Sequence, residues 1–338
     1  MNHCTVEVAG RDAIRFACEP GLTILDAAAK AGWELPYSCR RGSCESCRCP
    51  VIGEVSPPAN ADGTALLCQS RALGDIRIAP VRVESLQPVA RRKVKARLYR
   101  IRMAAPDVAV VDLRFPAGVK VQFRAGQYLN VHVEGAHARS FSMANTPRVS
   151  DSAQIHVRVL PGSLFGEQVL PRLQPGDTVD VELPFGDFYL REGTQPVVLL
   201  AGGTGFAPIQ SILEDALPKQ RERSFSLYWG ARQLVSLYAI ETVRKWEQKY
   251  PNFRFAAVLS EEAAAAPFRQ GLVHEAVLAD FASLAGHQVY ACGAPAMVAA
   301  ARSKFLEREL APADFYSDAF APAAAADAGV FAAQPIAA

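Results

Sequence analysis

Four cysteines stand within the eleven residues from Cys39 to Cys49, and three of them, Cys39, Cys44 and Cys47, are spaced C-x4-C-x2-C. A fourth thiol for the same set stands at Cys68, in LLCQSRA. Clustered thiols serve as a disulfide knot, a zinc site or an iron–sulfur site. The N-terminal residues alternate apolar and charged types and lack the apolar core of a secretory signal, so a reducing compartment is expected, where structural disulfides are poor candidates. Zinc sites usually pair two CxxC-like units, or one with two histidines, and the nearest histidines, His3 and His132, lie far off. The spacing is the plant-type [2Fe–2S] one, and thiolates are the soft ligands that iron needs there. Gly42, Ser43 and Ser46 leave room for backbone N–H groups to turn toward the sulfurs. Cys49 reads as a spare thiol or as a ligand of an altered site, with the spare expected. Cys4, Cys18 and Cys292 stand apart, the usual condition of small buried hydrophobes. Arg40, Arg41, Arg48 and Arg71 surround the cluster loop in sequence, which predicts a basic face suited to an acidic partner.

A second chemistry-bearing stretch is AGGTGFAPI, residues 201–209. It follows the apolar run PVVLL and opens a helical pattern. Gly202, Gly203 and Gly205, with Thr204 and Pro208, permit a tight turn, close approach of a pyrophosphate and a helix N-terminus aimed at its charge. The pattern is not a strict GxGxxG, and a structural glycine turn is the alternative. YWGAR brings Gly230 and Arg232 to the end of the next strand, where an adenosine ribose lies in such folds. ACGAPAMV ends a later strand with Cys292 and Gly293, and Pro295 and Met297 begin the helix after it.

Three blocks must position these residues. Residues 1–82 read as short strands and one helix, GLTILDAAAKAG, with Thr23 as N-cap and Gly32 as the stop. Residues 83–92 form a basic linker or first edge strand. From 93 to 191, AVVDLRFP, GQYLNVHV, RSFSMAN, QIHVRVL and DTVDVELP alternate as the strands of an antiparallel barrel, interrupted by one short helix, SLFGEQVLPRL. From 195 to 320, strands and helices alternate as in a doubly wound parallel sheet. Residues 321–338 are an Ala-rich tail broken by Pro322, Asp327 and Pro335.

The 338 residues are half apolar with a net charge of +2. That balance gives no reason to expect nucleic acid. No apolar run approaches the roughly 20 residues of a membrane span, and a cytoplasmic protein is expected.

The ordered set LPYSCRRGSCESC, LLCQ, RSFSMAN, HVRVLPG, AGGTGFAPI, YWGAR and ACGAPAMV resembles the reductases of ring-hydroxylating dioxygenases. In these a plant-type ferredoxin is joined to a ferredoxin–NADP reductase-like FAD and NAD module. The likeness is greatest to reductases of the terephthalate dioxygenase kind. Phenol, benzoate and methane oxygenase reductases share the layout, as do reductases of dideoxysugar biosynthesis. The resemblance implies a β-grasp ferredoxin domain, an antiparallel FAD-binding barrel and a doubly wound NAD(P)-binding domain. It implies electron flow from NADH, or NADPH, through FAD and a [2Fe–2S] cluster held by Cys39, Cys44, Cys47 and Cys68. The acceptor would be a terminal oxygenase of the Rieske type. A dideoxysugar dehydratase or diiron hydroxylase is an alternative acceptor, and a non-catalytic redox sensor is the alternative from another class.

The resemblance also implies roles. Arg139 would bind the FAD pyrophosphate, with Ser140 beside it in the motif. Ser142 would hydrogen-bond near flavin N5, and Phe141, where Tyr is usual, would pack on the flavin. His156, Val157 and Arg158 would meet the flavin and its phosphates. Gly162-Ser163, with Gly166 at a usual hydroxyl position, changes the phosphate loop, whose helix N-terminus is still expected to bind an anion. Cys292 would sit beside nicotinamide C4, and Phe320 would stack on the flavin. Glu45 and the twenty residues between Cys47 and Cys68 depart from the usual cluster loop and imply a more exposed cluster.

Overall fold

The computed structural model describes residues 4–11, 13–40, 42, 44–85, 89–132, 138–159, 161–263 and 266–320. The Ala-rich tail from 321, Arg41 and Ser43 lie outside the described residues. The chain forms two compact units, one holding residues 1–88 with 317–321 and the other holding 89–316.

The first unit is a mixed five-stranded sheet in the order Arg15–Cys18, Cys4–Val8, Ile76–Ile78, Arg48–Ile52, Thr64–Leu66. Cys4–Val8 runs parallel to Ile76–Ile78 and antiparallel to Arg15–Cys18. Helix Ile24–Lys30 covers the sheet with Ile24, Leu25, Ala27 and Ala28. It starts where the sequence signals it, because Thr23 Oγ1 accepts the Asp26 N–H at 3.1 Å and satisfies an otherwise orphaned donor. Val6, Phe16, Leu35 and Ile78 fill the core. This is a β-grasp arrangement, with the cysteine loop leading into strand Arg48–Ile52. Part of the expected linker belongs to this unit, since Glu84–Ser85 pairs with Trp33–Glu34.

In the second unit, six antiparallel strands lie in the order Arg139–Ser142, Tyr128–His132, Thr178–Phe185, Arg92–Ala105, Val108–Arg114, Ser152–Arg158. A bridge between Met143 and Ile155 joins the two ends and closes the barrel. Arg92–Ala105 is therefore central and not the edge strand that its basic residues suggest. Its charges fit because every second side chain points outward while Val94, Ala96 and Leu98 point into the core.

The same unit carries a second sheet in the order Arg269–Gln270, Phe253–Leu259, Phe225–Ala231, Val197–Gly202, Gln288–Gly293, and then Phe315–Ala319, of which residues 315–316 belong to this unit. The first five strands are parallel. Val197–Gly202 is buried on both faces, as its unbroken apolar run requires. Strand order reverses between Val197–Gly202 and Gln288–Gly293, which is where such sheets open a crevice for ligands.

Candidate cofactor sites

The four expected cluster ligands come together as two pairs. Cys39 N–H donates to Cys44 Sγ at 3.4 Å, and the thiols of Cys39 and Cys44 are hydrogen-bonded, which holds the Cys44 thiol well above its usual range. The Cys47 thiol donates to Cys68, which raises the Cys47 pKa and lowers that of Cys68. Among the described residues no three His, Cys, Asp or Glu side chains close around a single ion. Two thiol pairs are the donor set that a two-iron cluster uses, so these residues fit a [2Fe–2S] group.

The loop is shaped for that group. Gly42 has φ +81°, and a Cβ there would lie 3.2 Å from Gln69 Cγ. Arg40 and Glu45 hold left-handed conformations at φ 54° and 57°, a costly choice for residues with a Cβ. Ser46 Oγ is buried without a hydrogen-bond partner of good geometry, yet close enough to Cys44 Sγ to favour its thiolate. Gln69 Nε2 donates to Cys68 Sγ at 3.5 Å. Cys49 points to the other side of its strand, into the core, where burial pushes its thiol up to about 12.

The expected basic face is largely neutralised. Arg40 pairs with Asp26, and Arg48 pairs with Glu45 at 2.6 Å and faces Asp62 at 3.8 Å. Glu45 is thereby an ion-pair partner and not a lone carboxylate beside the cluster. Arg71 is exposed and donates to the Gly21 carbonyl at 3.3 Å.

In the barrel, strand alternation sorts the predicted flavin contacts. Arg139 is buried at 7% exposure on the same strand face as Phe141. Phe141 is held against Phe165, ring centroids 4.8 Å apart, and packs on the barrel core. Ser140 donates to Asn130 Oδ1 at 2.8 Å, and Ser142 is buried on that second face. A buried guanidinium on a closed barrel is a donor set suited to a pyrophosphate, so the residues present fit FAD.

The phosphate loop differs from expectation. Leu164–Val169 is a single short π-helix, and Ser163 Oγ caps it by accepting the Gly166 N–H at 3.1 Å. The Gly162 N–H donates to the Glu167 carboxylate at 2.8 Å. The Gly162 and Gly166 amides are thus occupied by the chain's own oxygens. Gly166 is small for a packing reason, because a Cβ would meet Ser163 Oγ at 3.0 Å and Val159 Cα at 3.1 Å.

Along Ser152–Arg158, Ile155 and Val157 point into the barrel core, so the Val157 side chain cannot meet a flavin outside it. His156 and Arg158 point the other way. His156 Nδ1 is hydrogen-bonded to the Tyr238 hydroxyl at 2.8 Å, and burial lowers the His156 pKa to about 3. Arg158 is ion-paired to Asp107 at 3.0 Å, and its Nη1 lies 2.9 Å from the position of a Cβ on Gly203. The structure therefore puts Arg158 over the glycine loop.

That loop borders a cavity of about 360 Å³, lined by Gly202, Gly203, Thr204, Gly230, Arg232 and Met297, with Asp107, Val108 and Arg158 from the barrel. The glycines are required. A Cβ on Gly205 would lie 2.1 Å from the Cys292 carbonyl oxygen, and one on Gly202 would lie 2.7 Å from Met297 Sδ. Trp229 Nε1 donates to the Gly203 carbonyl at 3.0 Å, and Phe206 stacks on Trp229 at 4.0 Å. Helix Phe206–Ala216, which contains Pro208, begins at the loop and points its N-terminus into the cavity. A cradle that any Cβ would fill, closed by a guanidinium, fits a dinucleotide pyrophosphate.

Cys292 is fully buried behind Gly205 and is not among the residues lining the cavity. It lies close enough to the Tyr238 hydroxyl to help burial push that phenol's pKa up. A Cβ on Gly293 would lie 3.0 Å from the Gly202 Cα, and Pro295 opens helix Pro295–Leu306. Phe320 follows the last strand, half-buried, and groups with the first unit.

Sequence reasoning missed Tyr238, Asp107 and Glu261. Glu261 Oε1 lies 3.3 Å from Arg232 Nε, in a neighbouring pocket that shares Asp107, Arg158 and Arg232 with the cavity. None stands in a motif, and only the fold brings them to the site.

Three domain families match the sequence: the 2Fe-2S iron-sulfur cluster binding domain over 6–73, the oxidoreductase FAD-binding domain over 95–189 and the oxidoreductase NAD-binding domain over 199–303. The chain is 40% identical to terephthalate 1,2-dioxygenase reductase component 2 of Comamonas sp., covering 95% of this chain and 98% of that protein. It is 35% identical to a CDP-6-deoxy-L-threo-D-glycero-4-hexulose-3-dehydrase reductase of Yersinia pseudotuberculosis, covering 91% and 96%. Among solved structures, the Amycolatopsis cytochrome P450 reductase GcoB matches with TM-score 0.76 and 32% identity over 94% of this chain and 99% of that one.

Proposed function

Because this chain belongs to the iron–sulfur flavoprotein reductases typified by the dioxygenase reductase components, we propose that it draws electrons from NADH and supplies a terminal oxygenase acting on an aromatic acid. Bound FAD would supply the conversion from two-electron to one-electron chemistry, and a bound [2Fe–2S] cluster would supply one-electron transfer. The protein's work is to bind, order and shield.

The observation that carries the reading is the cavity shared by barrel and parallel sheet. Asp107, Val108 and Arg158 on one side and the glycine loop on the other bring a dinucleotide against the flavin-binding lobe. Asp107 orients the Arg158 guanidinium toward the pyrophosphate position, while the loop amides and the helix dipole complete the anion cradle. His156 and Tyr238 hold the facing walls in register. Arg139 would hold the flavin pyrophosphate, and Ser142 would offer its hydroxyl to the flavin from the barrel edge. Cys292 supports the wall from behind through its contact with Tyr238. Cys39, Cys44, Cys47 and Cys68 would together hold the cluster. The oxygenase as acceptor is supported by the dioxygenase reductase relatives at 39–40% identity, against 35% for the dehydrase reductases.

The test is an anaerobic titration of purified protein with NADH, followed by absorption, for the wild type and for Cys68→Ser. Flavin and cluster bands both bleach in the wild type. The variant keeps NADH-dependent ferricyanide reduction and loses most cytochrome c reduction. Flavin bands that NADH leaves unchanged would sink the proposal. Electron delivery to an aromatic-acid oxygenase, compared with a sugar dehydrase, then decides the acceptor.

A further inference from the structure

Two cysteines outside the cluster loop, which look in the sequence like unrelated buried residues, face one another. Cys4 opens strand Cys4–Val8 and Cys18 closes strand Arg15–Cys18, and the antiparallel register sets them directly opposite. Directly opposed residues project from the same sheet face with Cα atoms roughly 4.5–5.5 Å apart. A disulfide spans Cα separations of roughly 4.4–6.8 Å. Both side chains sit on the core face with Val6 and Phe16. The sulfurs converge on one residue's backbone: Cys4 Sγ lies 3.8 Å from the Ala72 carbonyl oxygen, and the Ala72 backbone also hydrogen-bonds the Cys18 sulfur, whose thiol lies 3.9 Å from the Leu22 carbonyl.

The cluster makes no use of this pair, since its four ligands partner one another. Cys49 turns to the Pro50 carbonyl at 3.3 Å. Among the described residues of this unit, Cys4 and Cys18 are left with each other as sulfur neighbours. Cys4 is the more accessible of the two, half-buried where Cys18 is 3% exposed. Burial also raises the Cys18 pKa, with Cys4 and Glu19 adding to it, so the first attack falls to Cys4.

We propose that Cys4 and Cys18 form a peroxide-responsive dithiol, separate from the cluster ligands, that closes to an intramolecular disulfide. Hydrogen peroxide is the oxidant. The Cys4 thiolate attacks one peroxide oxygen, the O–O bond breaks, and Cys4 sulfenic acid and water result. The Cys18 sulfur then attacks the Cys4 sulfur, the S–O bond breaks, and the hydroxyl leaves as a second water with the Cys18 proton. One peroxide is reduced and two thiols are oxidised. The product staples the hairpin that precedes helix Ile24–Lys30.

The experiment treats the fully loaded protein with graded hydrogen peroxide, quenches with N-ethylmaleimide and maps tryptic peptides by mass spectrometry. The expected product joins residues 1–11 to residues 16–30 with loss of two hydrogens, while cluster absorption persists. Labelling of Cys4 falls at least tenfold and returns with a thiol reductant. In Cys18→Ala, Cys4 instead proceeds to sulfinic acid. Three results would each overturn the proposal: Cys4 over-oxidised in the wild type with Cys18 still alkylated, Cys4 bridged to a second molecule, or Cys4 bridged to a cluster cysteine with loss of the cluster bands.

Discussion

Arg232 and Glu261 show how a single carboxylate can decide a nucleotide. Arg232 alone reads as a contact for a ribose 2′-phosphate, since a guanidinium matches phosphate geometry. Glu261, 3.3 Å from it, supplies a negative charge at the same place and repels a 2′-phosphate. NADH is the expected donor for that reason. Glu261→Gln should raise kcat/KM for NADPH roughly tenfold, about 1.4 kcal/mol, and leave NADH within about twofold. Unchanged NADPH kinetics would remove Glu261 from the specificity. The acid was not legible in the sequence, because it follows a different strand from Arg232 and no spacing links them. The place of Arg158 beside the glycine loop was not legible, because its motif belongs to the barrel and only the strand's alternation reveals which way it points.

The glycine loop was readable at the scale of the element. AGGTGFAPI between an apolar run and a helix means a turn that a ligand approaches closely, and the structure gives each glycine its reason. Gly205→Ala would drive a Cβ into the Cys292 carbonyl at 2.1 Å, where backbone on both sides has nowhere to go. Overpacking of that kind costs typically about 1–3 kcal/mol. The variant should lose several degrees of melting temperature, and its KM for NADH should rise at least tenfold. A wild-type KM would mean that the loop does not seat the dinucleotide. The phosphate loop of the barrel was less readable. Gly162-Ser163 and Gly166 look like a weakened anion site, and Glu167 and Ser163 accept from the Gly162 and Gly166 amides, a local hydrogen-bonding choice that composition does not disclose. The basic strand Arg92–Ala105 also misled, since charge suggests an edge while one buried face suffices for the middle of a barrel.

Across the molecule, the three blocks expected from hydrophobic period correspond to three sheets, because alternating strands and buried apolar runs leave different patterns. Contacts between blocks left no pattern. The His156–Tyr238 bond is one, and it gives stability a pH signature. His156 takes a proton near 6.5 when unfolded but resists it down to about 3 when folded, so the unfolded state binds more protons in between. Its contribution is whole above pH 6.5 and is lost as pH falls toward 3, by at most about 1.4 kcal/mol per pH unit. Urea midpoints from pH 7 to 4.5 should fall more steeply for the wild type than for His156→Gln, and parallel slopes would refute this. The two units also have separate apolar cores, Val6 and Leu35 in one and Leu98 and Leu129 in the other. Removing iron should therefore lower only the first unit's calorimetric transition, because metal binding stabilises the fold that holds it. A matching drop in flavin retention would contradict that separation.

Ser38 donates to the Asp318 carboxylate at 2.5 Å, both buried, beside the first cluster cysteine and 280 residues apart in the chain. During synthesis the ribosome makes Ser38 early and Asp318 almost last. At roughly 5–20 residues per second, the interval is about a quarter of a minute or more, and throughout it the cluster loop lacks one of its buried partners. The N-terminal domain is the first to emerge and the last to be completed.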